Sequence, residues 1–305
     1  MHIPNGMLHG QICPVSAAVS AIGIGFAAWR AFLSKEKPKA ARFAAITALI
    51  FAGQMMNFPI NGGTSGHLIG GVLAAALLGI PFGILSMALV VTIQCLVFAD
   101  GGLSVLGANI FNMAIVGAGL GGIIQAFFSK RSLPRSSQHA FGLGFAAWVS
   151  VMLAAFFCSL ELSVSGTIPF SRVIGAMLGT HMFIGIGEGL ITLAACFAFA
   201  SEPEQASQRR SVAVPLMASG IIALMLSPFA SGLPDGLEWV AGKFQFLHES
   251  APMFVSPLPD YTVPAISNEM LTTGLAGLSG VMITFIIAWS VAKLLNKQDS
   301  LAIKT

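Results

Sequence analysis

The sequence predicts an all-α protein, a polytopic transmembrane helical bundle of about nine spans with its N-terminus outside. Three observations carry this. Hydrophobic residues make up 55% of the 305-residue chain and charged residues 9%, with a mean hydropathy of +0.84. One water-soluble core cannot hide that much apolar surface, so lipid must be the solvent for most of the chain. The apolar runs are continuous and do not alternate at period two, which excludes a membrane barrel. The charges sit between the runs, so the formal net charge of +3 marks loops and gives no case for a nucleic-acid partner.

Apolar runs between polar breaks place the spans at 12–33, 40–57, 67–79, 82–98, 108–128, 139–160, 171–199, 212–230 and 271–293. The 67–79 run is short and flanked by glycines, which leaves open whether it fully spans or is re-entrant, its backbone covered by protein. Residues 231–270 are rich in proline and acidic groups and are expected to form a small extracytoplasmic loop. The expected organisation is a membrane domain of about seven spans over 1–210, followed by an accessory segment over 211–305 whose two spans flank that loop.

Sidedness follows from the basic residues. With the first span entering from outside, 13 of the 15 Lys and Arg fall on one side, in clusters at 30–42, 130–135, 209–210 and 293–304. Only Arg172 and Lys243 fall on the other. The positive-inside rule makes the crowded side cytoplasmic, in a cell inner membrane.

Chemistry-bearing motifs are few. The four cysteines, Cys13, Cys95, Cys158 and Cys196, stand alone in or beside apolar runs and read as small packing residues. No phosphate-cradling loop and no catalytic Ser/His/Asp or Cys/His set is visible, so the chain reads as a non-enzyme without an organic cofactor.

The opening residues MHIPNG are more informative. They contain no basic leader, and the bulky His2 argues that Met1 is retained with a free amine. That amine, the His2 backbone nitrogen and the His2 Nδ1 can close two fused chelate rings on one metal. Planar nitrogen coordination suits Ni(II) and Cu(II), and it requires the metal to displace protons from amine and amide. His67, in GTSGHLIGG (63–71), can supply a fourth nitrogen; the alternative is a helix-N-terminal histidine bonded to its own loop.

Several strings in order resemble one known family. MHIPNG, GTSGHLIGG, DGGLSVLGANIFNMAIVG (100–117) and HMFIGIGEGLIT (181–192) resemble the CbiM/NikM substrate-capture subunits of energy-coupling-factor transporters for cobalt and nickel. PDGLEW (234–239) and PLPDYTVP (257–264) resemble the PDGLE-type accessory segment fused to some of them. The resemblance implies Ni2+ or Co2+ as transported substrate, nickel being favoured by the four-nitrogen set, with Met1, His2 and His67 as ligands. It implies as partners a membrane coupling subunit (EcfT-like) and ATPase subunits (EcfA-like), besides the lipid bilayer.

Around the ligands, Asn57, Asn61, Thr64, Ser65, Asp100, Asn109 and Asn112 are candidates for orienting contacts, with turn and cap roles as the alternative. His9 reads as a loop residue, with a transient entry ligand as the alternative. Glu188 reads as the one mid-membrane acid, and His181 shares its helix face; the pair is either a brace within the bundle or part of the metal path. Ala17, Ala21 and Gly25 form a smooth ridge that either docks the coupling subunit, as the resemblance suggests, or packs within the chain. Gly117 and Gly121 read as internal packing. Rival readings are a haem-binding electron-transfer subunit using His67 and His181, and an autonomous gradient-driven permease using Glu188.

Overall fold

A computed structural model describes residues 1–60, 62–199, 210–247 and 254–296. In chain order its helices are α1 (Ile12–Leu33), α2 (Ala40–Gln54), α3 (Gly71–Leu78), α4 (Ile80–Phe98), α5 (Leu103–Ser129), α6 (Ser137–Val164), α7 (Phe170–Phe199), α8 (Ser211–Phe229), α9 (Gly236–Lys243) and α10 (Glu269–Asn296). All but α2, α3 and α9 are long and apolar enough to cross a bilayer. The protein is a multi-pass membrane protein.

Two of the nine expected spans take other forms. The 40–57 run stops as helix α2 at Gln54, and its last residues begin a two-stranded antiparallel hairpin, β1 (Asn57–Ile60) with β2 (Thr64–His67). The 67–79 run contributes the end of β2, a connection, and only eight residues of helix in α3. That helix rises about 12 Å, less than half the apolar thickness of a bilayer. Pro59 and the glycine-rich turn favour a hairpin over a helix, so His67 ends a strand; it does not begin a helix.

The hairpin occupies the depth that a helix would otherwise fill. Gly71 lies against Gly117 at the middle of α5, so close that a Cβ on Gly71 would fall 2.4 Å from the Gly117 carbonyl carbon. α3 therefore runs through the inner half of the bundle, and the chain reverses at Gly79, whose φ of +85° favours glycine. α4 returns to the outer face, opened by Pro81 in its first turn. Parity is thus kept although the third segment is only partly helical.

The two ends of the bundle are distinct. At one, Arg42 donates to the Phe199 carbonyl and Asn296 to the Pro38 carbonyl, gathering the ends of α7 and α10 beside the α1–α2 loop. This end carries Lys35, Lys37, Lys39 and Arg42 beside the α1–α2 loop and Lys293 near the end of α10. At the other lie the N-terminal residues, the hairpin, Asp100 and α9. The buried core centres on α2 and α4, while α1 turns most of its apolar surface outward. α10 lies along α2, with Gly280 tight against Phe51.

α6 runs to Val164, beyond the expected 139–160 span, and carries Glu161 into the bundle. Glu188 lies near the middle of α7, and Glu161 is a second buried acid, in the last turn of α6. Glu161 is buried and accepts a hydrogen bond from Asn112 Nδ2 at 2.7 Å. Asn112 is the second residue of the π-helical stretch of α5, Phe111–Leu120, a widened turn often found near functional sites.

Candidate metal centre

The chain's first eight residues are threaded into the outer end of the bundle. Ile3 and Met7 are fully buried, and Leu8 nearly so. Asn109, on α5, clamps this segment from both sides: its Oδ1 accepts from Ile3 N at 2.8 Å and its Nδ2 donates to Ile3 O at 3.1 Å. Gly102 N donates to the same carbonyl at 2.9 Å. Gly102 abuts Asn5, and any Cβ there would come within 2.5 Å of Asn5 N. Gly102 thus lets backbone meet backbone, Gly101 leaves room for the Asn109 and His2 side chains, and Asn109 anchors the tip instead of capping a helix.

This threading brings Met1, His2 and His67 together. The Met1 amine donates to His67 Nε2, and the two imidazoles stack with centroids 5.2 Å apart and planes 20° from parallel. His67 Nδ1 donates to the Leu68 carbonyl at 2.9 Å, which leaves Nε2 as the lone-pair nitrogen facing the amine. His2 Nε2 lies 3.1 Å from Gln94 Oε1, and His2 Nδ1 lies 3.1 Å from Asp100 Oδ1. Burial, with the amine and His2 adding to it, pushes His67 down to about 3. Burial also lowers His2, against the pull of Asp100. Neutral imidazoles are the form that binds metal.

Beneath the hairpin, Glu188 accepts from Ile69 N at 2.6 Å and from Gly70 N at 2.8 Å. Gln54 donates to the Ile69 carbonyl at 2.6 Å. The connection after His67, which no helix ladder serves, is satisfied by these two buried side chains. His181, on the same face of α7, bonds the Met177 carbonyl through Nδ1 and does not pair with Glu188. Its ring reaches the underside of the cluster, bordering a space of about 10 Å³ shared with Met1, His67 and Asp235.

The other predicted positions divide. Asp100 touches His2, and its second oxygen accepts from the Tyr261 hydroxyl at 2.6 Å. Thr64 and Ser65 face the accessory segment: both hydroxyls donate to the Pro234 carbonyl, and Ser65 also to Leu233 O at 2.7 Å. Asn57 lines the cleft and accepts Ser231 N at its carbonyl. Asn112 is engaged with Glu161 and not with the cluster. Asn61 lies outside the described residues. His9 is exposed. Ala17, Ala21 and Gly25 lie on the exposed side of α1, although Gly107 packs against the Ala17 backbone.

Three contributors escaped the sequence reading. Asp235 Oδ2 lies 3.1 Å from the Met1 amine. Burial pushes this carboxyl up, but the amine and His67 outweigh it and hold it well below the usual range. Gln94 was detectable as a lone amide in an apolar span, and Tyr261 as the chain's one tyrosine. Burial and Asp100 push the Tyr261 phenol well up. An open cleft of about 550 Å³ leads to the cluster, its walls including His2, His67, Asp100, Asp235, Glu238 and Asp260.

Comparison with known proteins agrees with this architecture. The family model "Cobalt uptake substrate-specific transmembrane region" (CbiM) matches residues 2–205, and the PDGLE domain model matches 209–297. A protein of Archaeoglobus fulgidus, provisionally named fused nickel transport protein NikMN, is 34% identical over 96% of this chain and 98% of its own length. The fused nickel transport protein NikMN of Rhodobacter capsulatus is 28% identical over 92% and 94%. A crystal structure described as a truncated transition metal transporter superposes with a TM-score of 0.58 at 32% identity, covering 65% of this chain and 97% of that one. A chain whose first two thirds match the cobalt-uptake model, and whose remainder matches the PDGLE domain, belongs to the CbiM family of substrate-specific transmembrane regions.

Proposed function

We propose that the chain is the metal-capturing membrane subunit of an importer of Ni2+ or Co2+, and that it holds one ion through the Met1 amine, the His2 amide and Nδ1, and His67 Nε2. The observation that carries this is the buried chain tip, with its amine directed at the lone-pair nitrogen of His67. With its single proton on Nε2, the neutral imidazole of His2 offers the Nδ1 lone pair to the metal. The Nε2–H remains for Gln94, the contact it already has. A free lone pair and a retained outer bond are what a nitrogen site for a divalent ion requires.

Four nitrogens in a plane favour nickel over cobalt. The energy comes from partners: a membrane coupling subunit docked on the Ala17, Ala21, Gly25 ridge of α1, and ATPase subunits on the basic face. Residues 1–210 capture the ion and 211–305 form the accessory unit. A haem between His67 and His181 is disfavoured, since only the space of about 10 Å³ separates their surroundings.

The test is metal analysis of purified full-length chain with a native start, beside His2→Ala and His67→Ala. About one Ni(II) per chain is expected for the native form and essentially none for either variant; retention of full stoichiometry by both would refute the site. Uptake in cells with and without the ATPase partners tests the coupling: transport persisting in their absence would favour an autonomous permease.

A further inference from the structure

We propose that Asp235 is a positioning residue for the chain's N-terminal amine, so that the accessory segment is a built part of the metal site. This rests on the reading above that the metal is held at the chain tip.

The carboxylate of Asp235 is fixed at both oxygens. Oδ1 caps α9 by accepting Glu238 N at 2.9 Å, within a reciprocal capping box, and Oδ2 meets the Met1 amine at 3.1 Å. The backbone carrying it is pinned to the hairpin. Asp235 bridges Ser65 in parallel register, and Ser65 N donates to the Pro234 carbonyl at 2.8 Å. Gly236 lies flat on α7, where a Cβ would meet Ile184 Cδ1 at 2.7 Å and His181 Cε1 at 3.0 Å. Leu237 is fully buried. Each residue of the PDGLE string therefore has a task in seating one carboxylate against the amine.

The charge arithmetic shows why the contact can serve both the empty and the loaded site. The metal-free amine presents one positive charge to Asp235. A divalent ion that has displaced the His2 amide proton and bound the neutral amine also forms a unit of net charge +1. Asp235 thus faces the same charge before and after capture, and holds the tip in place throughout.

The substitution that separates this role from helix capping is Asp235→Asn, because asparagine caps a helix as well as aspartate but carries no charge. In detergent-solubilised, metal-free full-length protein, the Met1 amine is labelled with an amine-reactive ester and the N-terminal peptide quantified by mass spectrometry. Ni(II) binding to the same samples is titrated by calorimetry, with His2→Ala and Gly236→Ala alongside. Asp235→Asn is expected to label at Met1 about tenfold faster or more and to bind Ni(II) about tenfold more weakly, as loss of a buried charge partner entails. Gly236→Ala, which lifts the segment off α7, should shift both readings in the same direction. Labelling of Asp235→Asn at the wild-type rate, or faster labelling with unchanged Ni(II) affinity, overturns the proposal. Full Ni(II) binding by His2→Ala would instead refute the chelate itself, while the labelling result would still decide the position of Asp235.

Discussion

His67 donates its Nδ1–H to the carbonyl of Leu68, the next residue in the chain, at 2.9 Å. That bond selects the tautomer: Nε2 is left as an acceptor, and it is Nε2 that faces the Met1 amine. The histidine's acceptor nitrogen is therefore set by its own strand end, and the peptides that follow it must be held still for that setting to last.

Glu188 does that holding. Its two oxygens accept the Ile69 and Gly70 amides, so Glu188→Ala leaves two buried donors without partners, at about 1–3 kcal/mol each. A thermal midpoint lowered in detergent, with weaker Ni(II) binding, is expected. Glu188→Gln retains one acceptor oxygen and should fall between Ala and wild type. Equal midpoints for all three would show that the hairpin base is supported elsewhere.

Asn109 is the clamp on the threaded tip. Asn109→Ala removes both bonds to Ile3, and a net loss of about 1–3 kcal/mol corresponds to roughly fivefold to 150-fold weaker metal binding. Calorimetric titration of Ni(II) reads this directly. Asn109→Asp keeps the acceptor for Ile3 N but sets a carboxylate against the Ile3 carbonyl, and should bind no better than Ala.

Acid should loosen the metal-free tip. His67 is lowered from its ordinary 6.5 to about 3 by burial, the amine and His2, so between those values the unfolded or undocked chain binds more protons than the docked one. The associated stability is present above about 6.5 and declines as pH falls towards 3. The thermal midpoint of metal-free protein should drop across that window more steeply in wild type than in His67→Gln. Parallel curves would contradict this assignment.

Close backbone approach can be tested at Gly71. A Cβ there would lie 2.4 Å from the Gly117 carbonyl carbon and 2.7 Å from Ala118 N, atoms that cannot move aside like the tip of a side chain. Gly71→Ala should therefore lower the yield of monodisperse protein and its thermal midpoint. Gly25→Ala, with nothing within 4 Å of its Cβ position, should leave folding unchanged.

Much of this was legible in the sequence, because lipid imposes simple rules. Long apolar runs announced α1, α4 and α10, and the basic residues of the α1–α2 loop lie at the end of the bundle that the Arg42 and Asn296 bonds draw together. The proposed tip chelate could be read because its atoms lie next to one another in the chain. The hairpin at 57–67 was not, since its glycines and Pro59 sit beside an apolar stretch long enough to suggest a helix. Asp235 was hidden for a different reason. It lies 234 positions from the amine it meets, and nothing local in PDGLEW shows that its carboxylate faces another segment. Glu161 was missed because the apolar run ends just before it, although the helix continues.

Nickel-edge X-ray absorption on Ni(II)-loaded full-length protein, compared between the native start and a form with one glycine added before Met1, tests the chelating tip most directly. The account predicts a planar four-nitrogen shell with imidazole scattering for the native start, and loss of both bound nickel and that shell in the extended form. The same nickel content and the same shell in both would contradict it.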